Sequence, residues 1–379
     1  MRPTPALSLA SAALAAAALV AGPLAAPAAA EELRMATGVS GPSALARGTH
    51  TFAERLAVRT EGAYSGRVFE NTLLNFSEAM TGLRDGIADV AYVVPAYHRA
   101  EFPYSNLLTD AATVSTDVVA VAGAATEFMF TCPACIGEYV RQNHAYLGFS
   151  VVGPYYLMSK PMIRTKADFQ GKKIRGFAAF GRWVEAMGAT PVNMGANDVY
   201  EAMSQGQLDG NTHIAETLRS LSIGDVAEYL LEAEIGVYVG NANFNLNLDL
   251  WSDLSPEMQR AFLLAAGDAI AWTTVTYLAQ NQEFYDNPSL GKVERVTPDD
   301  EVAEATRAFR EGDLATVAAE NRDRHGIADA EAQLDRFVAL VREWEALVAG
   351  IDATDVDAVA ALYNERIFGK VDPAVISGR

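Results

Sequence analysis

Cysteine, histidine and positive charge are all scarce in this chain of 379 residues. It has two cysteines and five histidines, and 29 basic residues compared with 48 acidic ones, so the formal net charge is −19. Such an excess of negative charge argues against nucleic acids and anionic membranes as partners. The histidines show no paired metal-ligand spacing, and two thiolates are only half of a structural zinc site. We therefore expect no metal and no cofactor.

Long hydrophobic runs are missing beyond the first 30 residues. Residues 1–30 carry one charge, Arg2, and an apolar run from Leu7 to Val20, and they end in three alanines. This pattern is typical of a secretory signal peptide cleaved after Ala30, and retention as a membrane anchor is the alternative because the basic region is weak. Since no other run reaches the ~20 apolar residues of a membrane span, we expect an exported, soluble, periplasmic protein.

The two cysteines lie close together, as Cys132 and Cys135 in a Cys-Pro-Ala-Cys sequence. Two cysteines in an exported protein usually form a disulfide. A redox centre at a helix start is the alternative, but it needs a strand-helix-strand unit around the motif. Here the pair follows a long apolar stretch instead. We expect a structural disulfide and regard metal binding as the least favoured role.

Signatures of enzymes are also missing. There is no Gly-x-Ser-x-Gly, and the glycine-bounded segment Gly176–Gly181 continues with Arg182-Trp183 rather than Lys-Ser or Lys-Thr, so it is not a phosphate-binding loop. His213 near Asp209 could act as a base, but a structural, hydrogen-bonded histidine is the commoner case. We expect no enzymatic activity.

The most informative stretch runs from Asp168 to Gly210. It predicts a short strand at Lys172–Arg175, a loop at Gly176–Gly181 and a helix at Arg182–Met187. This order puts Arg175 at the carboxyl end of a strand, where open α/β sheets bind ligands. Because a guanidinium group can donate two parallel hydrogen bonds to a carboxylate, the stretch predicts capture of a small organic anion.

Three motifs in this stretch resemble the solute receptors of tripartite ATP-independent periplasmic (TRAP) transporters. They are Asp168-x-x-Gly171-x-x-Ile174-Arg175, Met187-Gly188-Ala189-Thr190-Pro191-Val192 and Val199-Tyr200-Glu201-Ala202-Met203-x-x-Gly206-x-x-Asp209-Gly210. The resemblance extends from about residue 32 to residue 285. It implies an α/β, two-lobed periplasmic-binding-protein fold with a ligand cleft between the lobes. It also implies two kinds of partner, a small organic acid and the membrane subunits of a TRAP transporter.

The resemblance assigns roles to single residues. Arg175 matches the family's strand-end arginine that grips the ligand carboxylate. Two positions depart from the family: a second arginine, often found about twenty residues earlier, is Tyr155 here, and an asparagine after the Asp-Gly pair is His213. These departures imply a ligand with a different second polar group. If Phe177 and Phe180 line the cleft together with Tyr155, a flat or aromatic carboxylate would fit.

The division into lobes is predicted from chain crossings near Gly153 and along Val237–Leu250. Lobe I is expected to comprise residues 31–153 and 241–280, lobe II residues 154–240 and 281–348, and a C-terminal helical extension residues 349–379. Ser255-Pro256 is a strong helix start, and a helix from there to about Phe284 would span both lobes. Other expected elements are a strand within Tyr146–Met158 and helices at Pro298–Glu320, Asp329–Val348 and Ala353–Ile367.

A second strand is predicted where asparagines alternate with apolar or small residues, at Asn241, Asn243, Asn245 and Asn247. This period of two predicts a strand with one polar face. We expect that face to be half-solvated, and the alternative is that one or two of the asparagines reach the cleft.

Two other functions stay open on this sequence. One is an exported enzyme on the same fold, with His213 as general base and Arg175 holding the substrate. The other is a sensor that passes its ligand to a membrane signalling protein.

Overall fold

The protein is an α/β structure built on two six-stranded sheets. A computed structural model describes residues 30–378. The predicted signal peptide, apart from Ala30, therefore lies outside the described residues.

The first sheet contains five strands from the first 152 residues and one later strand, β11. Its strands are β1 (Glu31–Thr37), β2 (Tyr64–Glu70), β3 (Val90–Val93), β4 (His144–Ala145), β5 (Phe149–Val152) and β11 (Tyr238–Asn247). The order is β2-β1-β3-β11-β4, with β5 also paired to β11. Strands β1, β2 and β3 run parallel, whereas β11 is antiparallel to each of its neighbours.

The second sheet contains the strands from the middle of the chain and one later strand. They are β6 (Tyr155–Ser159), β7 (Lys173–Arg175), β8 (Thr190–Val192), β9 (Gly210–Ile214), β10 (Tyr229–Leu231) and β12 (Glu294–Val296). The order is β12-β10-β6-β9-β7-β8, in which β6 is antiparallel to both neighbours. Each sheet thus joins parallel strands with one antiparallel strand near its centre.

Helices cover both sheets. They are α1 (Ala44–Arg59), α2 (Ala79–Arg84), α3 (Pro103–Asp110), α4 (Val118–Phe130), α5 (Pro133–Val140), α6 (Ala178–Met187), α7 (Val199–Ser204), α8 (Thr217–Ser220), α9 (Leu248–Asp253), α10 (Pro256–Asp286), α11 (Asp300–Gly312), α12 (Leu314–His325), α13 (Ala330–Val348), α14 (Val356–Tyr363) and α15 (Pro373–Ile376). The predicted two-lobed α/β fold is confirmed.

The chain passes between the sheets three times. It leaves the first sheet after β5 and enters the second at β6, through Gly153-Pro154, close to the predicted crossing. It returns between β10 and β11 and leaves again through α10 and β12. The three connecting stretches are the natural place for the two lobes to move relative to each other.

Helix α10 spans both lobes. Ser255 caps its start by accepting a hydrogen bond from the Met258 backbone N–H at 3.3 Å, as the Ser-Pro sequence predicts. Near its start, Phe262 packs in the core of the first sheet, and near its end, Phe284 packs in a core that includes Met158 of β6. The helix is long and apolar enough to cross a membrane, but 72% of its most apolar window is buried inside the protein, as expected of a core helix.

Three local predictions are wrong. Helix α6 begins at Ala178 rather than Arg182, and it starts with a residue in the left-handed region, at φ +49°. The helix expected at Pro298–Glu320 is split into α11 and α12 at Asp313, whose carboxylate accepts a hydrogen bond from Arg182 Nε at 2.7 Å. The single strand expected within Tyr146–Met158 is divided between the two sheets at Gly153-Pro154.

The prediction that the asparagine face of this strand is half-solvated is also wrong, because all ten residues of β11 are buried. Three of the amides find partners inside the protein. Asn243 accepts a hydrogen bond from Ser150 Oγ at 2.8 Å, and the amides of Asn245 and Asn247 donate to backbone carbonyls. Asn241 lines a cavity between the sheets. The polar face therefore lies in the interior, where Asn243 Nδ2 and Asn245 Oδ1 have no hydrogen-bond partner among the described residues.

The predicted disulfide between Cys132 and Cys135 is confirmed. It sits at the start of α5, where Cys132 is the N-cap, and both residues are buried. Burial of this kind is typical of structural rather than reactive cysteines. Because the bond closes only a very short loop, the chain-entropy model gives it about 2 kcal/mol of stabilisation.

The C-terminal helices pack mainly against the first lobe. Trp344 of α13 lies against Gly123 of α4 so closely that a Cβ added at Gly123 would lie 2.4 Å from the indole ring. Only glycine permits this approach, and it places α13 against α4. The predicted lobe boundaries stay a prediction.

Candidate functional site

A cavity of about 60 Å³ lies between the two sheets. Its wall combines residues of the first sheet and the segments around it (Val39, Ser43, Leu45, Phe76, Tyr92, Val94, Tyr97, Val152, Tyr238, Asn241), of the second sheet and the segments around it (Tyr155, Arg175, Phe177, Ala196, His213, Ile214, Glu216, Thr217, Ser220, Leu221) and of helix α10 (Tyr277). Enclosed clefts at the carboxyl ends of strands and between lobes are the usual ligand sites of such folds.

Arg175 reaches this cavity because of how β7 ends. The following Gly176 packs against Gly181 at the start of α6, and a Cβ on Gly176 would lie 3.0 Å from the carbonyl oxygen of Phe180. This close packing turns the chain sharply after the strand. The Arg175 carbonyl accepts a hydrogen bond from Thr212 Oγ1 at 2.9 Å, which ties β7 to β9. The arginine side chain is thus placed by a rigid backbone.

The guanidinium group of Arg175 is oriented by three protein acceptors. Its Nε donates to the Met194 carbonyl at 3.2 Å, Nη1 to the Thr212 carbonyl at 3.2 Å, and Nη2 makes a long contact of 3.5 Å with the Tyr97 hydroxyl. The Phe177 ring lies 4.7 Å from its central carbon. Since a guanidinium has one N–H on Nε and two on each terminal nitrogen, one donor remains on Nη1 and one on Nη2. These two form the fork that a carboxylate can accept from.

No carboxylate balances this cation among residues 30–378. Arg175 is 1% exposed, and no Asp or Glu in this part of the chain lies within 4.0 Å of its guanidinium nitrogens. Burial of an unpaired charge is costly. The cavity therefore has a strong electrostatic preference for an anion.

His213 lies beside Arg175 as a neutral donor. Its Nδ1 accepts a hydrogen bond from the Ile214 backbone N–H at 2.9 Å, so the neutral ring carries its proton on Nε2. Burial, and after it the charge of Arg175, hold the His213 pKa well below its usual value. The ring therefore stays uncharged near neutral pH and presents an N–H to the cavity.

Aromatic rings form much of the wall. Tyr155 stacks on His213 with ring centroids 4.9 Å apart, and Phe180 stacks on the other side of Tyr155 at 4.0 Å. Burial raises the pKa of Tyr155, against the opposing influence of Arg175, so its hydroxyl stays protonated. Phe177 lines the cavity, whereas Phe180 lies behind Tyr155 and is not part of the wall. Of the five residues predicted to bind ligand, the structure brings four to the cavity surface.

A second polar region of the cavity surrounds Glu216. This residue lies between β9 and α8 and is 1% exposed. Its Oε2 accepts a hydrogen bond from Ser220 Oγ at 2.8 Å, and its Oε1 has no partner among the described residues. Burial raises the pKa of Glu216 to about 7, although Ser220 and Arg219 act in the opposite direction.

Sequence reasoning missed Glu216 and four of the wall tyrosines, Tyr92, Tyr97, Tyr238 and Tyr277. The signal for Glu216 was a single acidic residue in an otherwise apolar and small-residue run just after His213. The tyrosines come from loops, strands and helices far apart in the chain, so no local pattern connects them.

The described residues contain no group of three or more His, Cys, Asp or Glu side chains that could hold a metal ion. What the cavity offers is one unpaired cation, neutral donors, aromatic surface and one buried carboxyl group. This arrangement is suited to holding a small anion with apolar surface.

Comparisons with known proteins agree with this geometry. Residues 35–320 match the family model described as "Bacterial extracellular solute-binding protein, family 7". A solute-binding protein of Roseobacter denitrificans is 26% identical over 231 residues, which cover 58% of this chain and 66% of the relative, just under two thirds of its length.

Solved structures share the fold. A TRAP periplasmic solute-binding protein of Bordetella bronchiseptica with bound mandelate gives a TM-score of 0.70 at 23% identity and covers 82% of this chain and 99% of that one. A TRAP solute-binding protein of Rhodoferax ferrireducens with copurified benzoate gives 0.70 at 20% identity, with 83% and 99% covered.

Proposed function

Because the chain belongs to family 7 of the bacterial extracellular solute-binding proteins, we propose that it captures a small organic acid outside the cytoplasmic membrane and delivers it to the membrane subunits of a TRAP transporter. The resemblance to TRAP receptors predicted from the three motifs is confirmed. The signal peptide, the periplasmic location and the partner subunits belong to the proposal.

One observation carries the proposal: Arg175 is buried at the cavity wall without a protein carboxylate within reach. Its two remaining donors, one on each terminal nitrogen, have the spacing that the two oxygens of a carboxylate accept. The Nε2–H of His213 can add a third hydrogen bond without adding charge. The ligand carboxylate thus supplies the missing counterion, and it exchanges water for charge-assisted hydrogen bonds.

The rest of the ligand is proposed to be flat and largely apolar. Phe177 and Tyr155 flank the anchor, and Tyr238 contacts Phe177 edge-on at 5.5 Å between ring centroids. Aromatic surfaces of this kind favour an aromatic ring over a sugar or a plain dicarboxylate. The mandelate and benzoate bound by the two related structures support an aromatic acid.

A receptor is favoured over an enzyme by the state of His213. A general base needs a pKa near the working pH, whereas burial and Arg175 keep the pKa of this ring low and Ile214 occupies its Nδ1. A sensor for a signalling protein would use the same cavity, so the cavity does not distinguish a sensor from a transport receptor. The neighbouring genes do: two TRAP membrane subunits encoded next to this gene favour transport.

The proposed function is tested by measuring the thermal stability of the protein with a panel of acids. The panel comprises benzoate, mandelate, phenylacetate, a plain dicarboxylate and an acidic sugar, each paired with its amide or neutral analogue. A ligand that binds only the folded state raises the midpoint of unfolding. We expect the aromatic acids, and not their amides, to raise it. Equal effects of acids and amides would contradict the proposed carboxylate site.

Ligand binding is also expected to change the relation of the lobes. We propose that the two sheets and their helices form two lobes joined by the three crossings between the sheets and by a further return after β12, with residues 330–348 in the first lobe because of their packing on α4. Small-angle scattering should then give a smaller radius of gyration with saturating ligand than without. An unchanged radius, with binding demonstrated by calorimetry on the same sample, would count against a hinge.

A further inference from the structure

Glu216 is a buried acid on the cavity wall that the proposed carboxylate site does not use. The residue is part of the cavity lining, and one of its two oxygens, Oε1, is buried and unpartnered among the described residues. An unsatisfied buried carboxyl oxygen costs free energy of folding. A group kept in this condition on a ligand-binding wall is a candidate for contact with the ligand.

The neighbours of Glu216 leave its Oε1 without a partner. Ser220 donates to the other oxygen, Oε2. Arg219, the adjacent cation, is exposed, and its guanidinium lies 4.8 Å from the Phe284 ring. The Tyr277 hydroxyl is close to Ser43 Oγ, at 3.5 Å. No salt bridge to Glu216 occurs among residues 30–378.

The region around Glu216 is separate from the carboxylate anchor. The guanidinium of Arg175 is held by Met194, Thr212 and Tyr97. The acid of Glu216 is held by Ser220, a residue that none of the Arg175 contacts involves. The cavity lining therefore has two polar regions with different preferences, hydrogen-bond donors at Arg175 and a carboxyl acceptor at Glu216.

Resting on the proposed function, we propose that Glu216 determines specificity by accepting a hydrogen bond from a donor group that the organic acid carries apart from its carboxylate. The donor is a hydroxyl or an ammonium group, because both present a hydrogen to a carboxyl oxygen. An acid without such a group leaves Oε1 unpartnered and binds less tightly. A site built to hydrogen-bond a substrate hydroxyl or amine discriminates strongly against the analogue that lacks it.

The experiment compares benzoate with its 3- and 4-hydroxy and its 3- and 4-aminomethyl derivatives by calorimetry. The wild type is expected to bind at least one derivative about tenfold or more tightly than benzoate, as one hydrogen bond to a charged or polar group provides. The hydroxyl and aminomethyl members show which of the two donors the site prefers.

Two variants separate recognition from structure. Glu216→Leu is expected to lose the preference for the donor-bearing acid while it binds benzoate within about threefold of the wild type or more tightly. Glu216→Gln keeps the shape and one acceptor oxygen, and it should retain part of the preference for the hydroxyl derivatives. Glu228→Leu, at an exposed position in the same lobe, is the matched control and should change neither affinity.

The outcomes distinguish this inference from the function on which it rests. If the wild type binds none of the five acids, the proposed aromatic-acid receptor is wrong and the inference with it. If it binds all five within threefold of one another, or if Glu216→Leu weakens benzoate as much as the derivatives, the receptor stands and the role of Glu216 is wrong. Should Glu216→Leu fail to fold, Glu216→Gln is compared with the wild type instead, and an undiminished preference in that variant would contradict the role of Glu216.

Discussion

Arg175→Ala is expected to weaken binding of the organic acid by at least about a hundredfold. A hydrogen bond to a charged group contributes roughly 1.5–3 kcal/mol, and the fork of Arg175 offers the carboxylate two. The variant also leaves the ligand's charge buried without a partner, which adds to the loss. Since about 1.4 kcal/mol corresponds to a factor of ten, two decades is the lower bound.

Arg175→Lys tests whether the fork or the charge matters. Lysine supplies a point charge without the planar pair of donors, so it should recover only part of the affinity. Arg164→Ala is the matched control, because Arg164 is an exposed arginine of the same lobe whose Nε donates to the Thr297 carbonyl. Calorimetry on the wild type and the three variants measures the affinity of each for the organic acid. A folded Arg175→Ala protein that binds within a few-fold of the wild type would remove Arg175 from the site, and His213 and Tyr155 would then be tested first.

Asp110→Ala is expected to lower the free energy of unfolding by about 3 kcal/mol, as removal of one member of a buried ion pair does. Asp110 has a side chain that is 2% exposed, and it accepts two hydrogen bonds from Arg99 at 2.8 and 2.9 Å. Arg182 and Asn321 also donate to it. Because Arg182 belongs to α6 of the second lobe and Asp110 to α3 of the first, the loss affects the packing of one lobe on the other.

The effect of Asp110→Ala should depend on pH in a defined direction. Burial acts to raise the Asp110 pKa, but the hydrogen bonds and charge of Arg99 and the charge of Arg182 outweigh it and hold the pKa below its usual value. A lowered folded-state pKa means that Asp110 stabilises the fold above the usual aspartate pKa and stops doing so as the pH falls through the lowered value. Asp313 shares Arg182, but burial raises the pKa of that carboxyl.

Urea unfolding at about pH 7 and about pH 3 measures both parts of this prediction. The difference between the wild type and Asp110→Ala should be large at the higher pH and smaller at the lower one. Asp323→Ala removes an exposed carboxylate paired with Arg322, and it should change the stability by less than about 1 kcal/mol. A loss of stability from Asp110→Ala no larger than that of Asp323→Ala would show that the buried cluster contributes nothing net.

The sequence could predict Arg175 because its position follows from local rules. A strand, a glycine and an arginine at the strand's end are all visible within a few residues. The same holds for the start of α10 at Ser255-Pro256. The neutral state of His213 could not be predicted, since it depends on the charge of Arg175 and on a hydrogen bond from Ile214.

At each failed prediction the structure adds contacts from a distant part of the chain. The break between α11 and α12 occurs at Asp313, which bonds Arg182, a residue 131 positions earlier. The asparagine strand lies inside the first sheet, where β3, β4 and β5 pair with it from a different part of the sequence. Glu216 was missed for the same reason: an acidic residue in a sequence is normally exposed, and only the assembled cavity shows it buried.

The cavity wall has an optical consequence. Five tyrosines line it, Tyr92, Tyr97, Tyr155, Tyr238 and Tyr277, and none of the chain's four tryptophans does. Trp183, Trp251 and Trp344 are each buried in the cores. A bound acid thus changes the surroundings of phenol rings rather than of indole rings. Near-ultraviolet absorbance and circular dichroism of tyrosine, rather than tryptophan emission, are the direct spectroscopic reporters of occupancy in this protein.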